Sequence, residues 1–192
     1  TLRLRPGQLG PDRDVEVRPA DGLQAIVDGA RHVHRRRPAW NALAAMGVHR
    51  FAYGITVITT ILLCRNYFND PADVDAGVTL LALAFGASAV GFGLAALLTP
   101  PAADRWGPGG VIWRSYALAA FIEAVFIARF EVPVALAGAL LLGVCAQASK
   151  ICVDTIVQEY VDDDYRGRVF SFYDMVFNLA FVVAAAFAAL LL

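Results

Sequence analysis

The sequence is poor in charge. Asp, Glu, Lys and Arg make up 17% of its 192 residues, against roughly 25% in soluble globular chains. Lysine is nearly missing, with Lys150 alone beside fifteen arginines. Sixteen cations against seventeen acids leave a net charge of −1, which excludes a globally basic nucleic-acid surface. The three cysteines, Cys64, Cys145 and Cys152, form no CxxC pair, so a disulfide framework is excluded as well. What the chain has instead is apolar mass. Hydrophobic residues reach 58% and the mean hydropathy is +0.58, too high for a soluble domain and typical of a membrane protein.

A membrane-crossing helix needs about 20 mostly apolar residues. Five stretches qualify, at about 41–64, 77–98, 111–130, 132–151 and 169–192, the fourth with a helix continuing to Glu159. Pro38, Pro71, Pro100, Pro101 and Pro108 are expected in the connections, and Pro133 at a helix start, as helix breakers should be. The second stretch is uncharged and carries Gly77, Gly86, Ser88, Gly91 and Gly93, small residues that let helices approach closely in lipid. The chain thus reads as an all-α, polytopic membrane helix bundle with five transmembrane helices.

Arginine placement orients the bundle. Arg31, Arg35, Arg36 and Arg37 precede the first stretch, Arg105 lies in the second connection with Arg114 just inside the next helix, and Arg166 and Arg168 lie in the fourth. These segments are expected on the cytoplasmic side of the cell (inner) membrane. Trp40, Trp106 and Trp113 fall at the same boundary, as an aromatic belt requires.

Residues 1–39 are read as a cytoplasmic linker and 40–192 as the membrane domain. Residues 1–20 are polar and expected to be irregular. Leu23, Ile26, Val27, Ala30 and Val33 then recur at helical spacing, which predicts an amphipathic cytoplasmic helix lying along the leaflet and ended by Pro38. The Thr start and apolar end suggest a fragment.

Ionisable groups inside spans are expensive and mark candidate function. Arg50 lies ten residues after Trp40, and Glu123 ten after Trp113, so both sit about 15 Å deep. They could neutralise each other, or Arg50 with His49 could contact an anionic substrate or tune a protonatable carboxylate. Gln147, Lys150, Asp154 and Gln158 form one polar stripe on the fourth helix, with Lys150 and Asp154 an i,i+4 pair. The stripe lines an inner cavity mouth or marks emergence into water. On the fifth helix Asp174 and Asn178 are again i,i+4; Asn178, near half depth, needs a hydrogen-bonding partner. Asp162, Asp163 and Asp164 read as a solvated loop. No nucleophile cluster, metal-ligand set or cofactor motif is recognisable, so an enzyme is not expected and no cofactor is called.

Asp104-Arg105-Trp106-Gly107, between two spans, resembles the loop signature GxxxDRxGR[KR] of the major facilitator superfamily, with Pro100 and Pro108 replacing its first Gly and first basic residue. Such degeneracy is a mark of the C-terminal half. The segment from Lys150 to Asn178, with its Arg-Gly-Arg-Val-Phe run, resembles the tenth-to-eleventh-helix region of drug- and siderophore-exporting members. The resemblance implies helices seven to eleven of twelve, and proton-coupled efflux of drug-like or siderophore-like molecules by alternating access. It implies as partners the lipid bilayer, a small-molecule substrate, protons and a missing N-terminal half, with no nucleic acid. Arg50, Gln147 and Lys150 would border the cavity, and Asp104, Arg105 and Gly107 would form a gating loop. The alternative is a non-transporting membrane-embedded fragment or assembly module.

Overall fold

A computed structural model describes residues 19–191; the segment expected to be irregular, 1–20, lies outside these apart from its last two residues. The described chain is helical almost throughout. Helix α1 is Pro19–Arg35, α2 Arg37–Asn66, α3 Val74–Ala128, α4 Val132–Tyr160 and α5 Asp163–Leu191. Helices α2 to α5 are each long and apolar enough to cross a membrane, so the chain is an all-α polytopic membrane bundle.

Helix α3 runs for 55 residues, about 80 Å if straight, far more than one bilayer. It is not straight. Gly107, at φ 71° and ψ 157°, breaks it into two arms, 74–106 and 108–128. Ala84 and Ser88 of the first arm line the same small cavity as Ile122 and Glu123 of the second. Residues 34 or more apart in sequence can meet this way only if the arms fold back as a hairpin. The expected second and third spans are these two arms.

The connection between them differs from expectation. Pro100, Pro101 and Pro108 lie inside helical structure rather than in a loop, and Gly107 alone departs from helical geometry. Proline removes one backbone donor and bends a helix without necessarily ending it when nearby groups absorb the loss. Here the Thr99 hydroxyl donates to the Ala95 carbonyl at 2.6 Å just before the Pro pair.

Two close contacts set the packing. A Cβ on Gly91 would collide with the Leu140 carbonyl oxygen of α4, and one on Gly143 with the Ser88 carbonyl oxygen. Backbone against backbone, these small residues hold the first arm of α3 onto α4, as expected for the second stretch. Gly86 and Gly93 instead meet nothing within 4 Å. Helices α2 and α5 run side by side in the same direction: Gly47 faces Val176, and Gly54 faces Phe181 and Ala184. The main core joins Leu43 and Met46 of α2, Ala95, Val111 and Ile112 of α3, Val153 and Val157 of α4, and Val169 and Tyr173 of α5.

Helix α1 ends at Arg35, and α2 begins only two residues later, with Pro38 in its first turn. Pro38 therefore starts α2 instead of stopping α1, because a missing N–H costs nothing in a first turn. Of the expected apolar face, Val33 is fully buried while Leu23 and Val27 are 69% and 46% exposed. Helix α1 docks on α5 where Gly29 abuts the Arg168 backbone. His32 stacks on Tyr165 with ring centroids 4.2 Å apart, and Arg36 pairs with Asp162 at 2.7 Å. Only the first residue of the acidic run stays in a loop: Asp162 lies in the connection, whereas Asp163 and Asp164 form the first turn of α5, where carboxylates favour the helix N-terminus.

Candidate functional site

A cavity of about 280 Å³ opens where α2, α3, α4 and α5 converge. Helix α2 contributes Met46, His49, Arg50 and Tyr53, one helical stripe at i, i+3, i+4 and i+7. Phe92 of α3 and Phe177 of α5 close two sides, and Gln147, Ser149 and Lys150 face in from α4. Four of the residues singled out from sequence, His49, Arg50, Gln147 and Lys150, are thus brought together. The helical period places His49 and Arg50 on the core-facing side of α2, and the Gly91–Gly143 crossing brings α4 near enough to present its polar stripe.

The Arg50 guanidinium carbon lies 3.9 Å from the Phe177 ring centroid, 4.9 Å from Phe181 and 5.5 Å from Tyr53. Among the described residues it has no carboxylate partner. Its Nε and the Nε2 of neighbouring His49 are buried without a hydrogen bond to any described residue. The His49 ring packs 4.4 Å from that of Tyr116 on the second arm of α3.

Lys150 is paired within its own helix, Nζ donating to Asp154 Oδ2 at 2.8 Å, as the i,i+4 spacing predicts. The ammonium also lies 5.5 Å from the Tyr173 ring centroid. The rest of the stripe, Asp154 and Gln158, does not line the cavity; the Gln158 backbone carbonyl accepts from Arg166 at 3.1 Å in an exposed position.

The pairing of Arg50 with Glu123 is not formed. Glu123 Oε1 accepts instead from Thr56 Oγ1 at 2.9 Å and lines a separate, smaller cavity with Tyr53, Ala84 and Phe126. Thr56 comes one turn further along α2 than Tyr53, on a different face from Arg50. That rotation decides which cation or hydroxyl the carboxylate meets, and spacing alone does not give it.

Asp174 and Asn178 are exposed and line no part of the Arg50 cavity. Asn178 satisfies its amide locally, Nδ2 donating to the Asp174 carbonyl at 2.8 Å. At the hairpin end, Asp104 is exposed and makes no ion pair among the described residues. Arg105 and Arg114 lie 5.7 Å and 4.8 Å from the Trp106 ring. Phe92, Phe177, Tyr116 and Thr56 escaped sequence reading, since an aromatic or Thr in an apolar run has no pattern that separates site from lipid face.

Comparison with known proteins agrees with this architecture. Over 196 aligned positions the chain is 34% identical to an uncharacterized MFS-type transporter of Mycobacterium bovis and, equally, to one of Mycobacterium tuberculosis. All of this chain is covered, and it spans 44% of each relative's length. No solved structure matches it. Residues 42–192, all of the bundle after the start of α2, match the model of the Major Facilitator Superfamily, and the chain belongs to that family.

Proposed function

We propose that the chain is the C-terminal part, helices seven to eleven, of a secondary active transporter that exports drug-like or siderophore-like small molecules in exchange for protons. The observation that carries this reading is the cavity: a charged and polar wall of His49, Arg50, Gln147 and Lys150 inside an apolar four-helix junction. Charged groups at such depth are expensive unless a pathway uses them, and alternating-access transporters bind solute near the midplane between two bundles. In this reading the protein lies in the cell (inner) membrane with α1 on the cytoplasmic side, where Arg31, Arg35, Arg36 and Arg37 cluster.

Asp104, Arg105 and Gly107 form the gate. The exposed Asp104 carboxylate stands near the turn of the α3 hairpin, placed to meet a helix end of the opposite half. Glu123 and Asp174 are the intramembrane carboxylates able to carry the coupling proton. The test is efflux of a panel of amphiphilic drugs by the intact transporter carrying Arg50→Ala or Asp104→Asn, at equal expression. Loss of efflux in both supports the proposal; unchanged efflux in both removes these residues from the mechanism.

A further inference from the structure

We infer that the cavity selects organic anions, a flat apolar body bearing one carboxylate or sulfonate, over cations and neutral analogues of the same shape. The inference rests on the cavity being the substrate site, as proposed above, and adds the charge class of its ligand.

Charge balance in the cavity argues for it. Lys150 is already neutralised by Asp154 at 2.8 Å, and none of the described residues lining the cavity is acidic. That leaves Arg50 as an uncompensated cation, its Nε and the adjacent His49 Nε2 both buried and unpartnered. The aromatic faces of Phe177, Phe181 and Tyr53 attract the guanidinium, but a ring quadrupole replaces only part of the solvation that a buried cation loses. An anionic oxygen supplies the rest, and a guanidinium fork binds two such oxygens at once.

A cationic ligand would meet the opposite situation. It would enter beside the uncompensated Arg50 cation with no carboxylate among the described residues that line the walls. The remaining wall fits a flat apolar body. Phe92 and Phe177 flank the polar groups, and about 280 Å³ is close to the lower end of small-molecule sites, about 300 Å³, enough for a molecule of one or two rings.

Three naphthalene probes isolate charge from shape: naphthalenesulfonate, naphthalenesulfonamide and naphthylmethylammonium. Their binding to the purified intact transporter is read by quenching of tryptophan fluorescence. The sulfonate should bind at least about tenfold more tightly than either analogue. Arg50→Lys should keep that order, whereas Arg50→Gln should bring the sulfonate and sulfonamide to near equality. A sulfonate that binds no better than the sulfonamide, or worse than the ammonium, overturns the inference. This is also the result expected if a carboxylate from the rest of the transporter neutralises Arg50.

The wild-type comparison needs no variant, so poor folding of Arg50→Gln does not blunt it. Flux of radiolabelled naphthalenesulfonate, which does not cross lipid unaided, separates the two claims. Anion preference without flux in proteoliposomes leaves the inference standing and rejects the transport reading.

Discussion

Thr56 and Glu123 are joined across the interface of α2 and the second arm of α3 by a 2.9 Å hydrogen bond. The Thr56 hydroxyl also lies 3.2 Å from the Ala52 carbonyl of its own helix. One hydroxyl proton therefore has two acceptors, while the Glu123 carboxyl has no other hydrogen bond to a described residue. The arrangement occupies the carboxylate with a hydroxyl and leaves Arg50, six residues earlier on α2, without it.

The two partners should respond unequally to substitution. Thr56→Val removes the carboxyl's donor and should destabilise the bundle by about 0.6 kcal/mol and at most about 1.7, the range of interhelical hydrogen bonds in a membrane. Glu123→Gln keeps an acceptor oxygen in place and should be nearly neutral. Thermal unfolding of both variants in detergent checks this order.

Gly91 and Gly143 should be intolerant where Gly86 and Gly93 are tolerant. An added Cβ at either of the first two strikes a backbone carbonyl of the facing helix, and a backbone cannot rotate away as a side chain can. Gly91→Ala or Gly143→Ala should cost about 1–3 kcal/mol through forced separation of α3 and α4. Gly86→Ala and Gly93→Ala, with nothing within 4 Å, should leave the melting temperature unchanged.

Gly107 carries conformational strain of another kind. Its φ of 71° with ψ of 157° lies in a region that residues with a side chain rarely enter, although a Cβ there would touch nothing. Gly107→Ala should cost about 1–3 kcal/mol from backbone strain alone. Gly109→Ala, at helical φ and with open space, should be silent. Unfolding midpoints of the two variants, measured side by side, give the comparison.

Docking of α1 should depend on shape more than on charge. The Arg36–Asp162 pair is 44% and 57% exposed at its two side chains, so Asp162→Asn should change docking by about 0.2–1 kcal/mol. Gly29→Ala would put a Cβ 2.7 Å from the Arg168 carbonyl carbon and should release the helix. Trypsin cleavage after Arg31 and Arg35 should accelerate strongly in Gly29→Ala and only slightly in Asp162→Asn. Equal rates in the two variants would contradict this ordering.

Hydropathy and helical period settled much of the architecture, because both are properties of the chain read locally. Apolar runs of sufficient length located the four long elements, and Gln147 and Lys150 of the polar stripe marked the face of α4 that meets the cavity. The Lys150–Asp154 pair followed from i,i+4 spacing alone, since one helix supplies both partners. The local rules failed where neighbours intervene: Pro100 and Pro101 do not end a helix, and Asp163 and Asp164 belong to one.

Contacts between helices were decided only by tertiary structure. Arg50 and Glu123 have matching depth in the sequence, yet depth says nothing about the rotation of each helix about its axis. That rotation is set by contacts between helices, at Gly138 of α4 against Ile122 of the second arm of α3 and at Gly54 of α2 against Phe181 and Ala184 of α5. It turns Glu123 toward Thr56, and Arg50 toward Phe177 and the cavity it shares with Lys150. The sequence determined which residues are charged inside an apolar bundle. Packing of small residues between helices determined which of those charges is left without a partner.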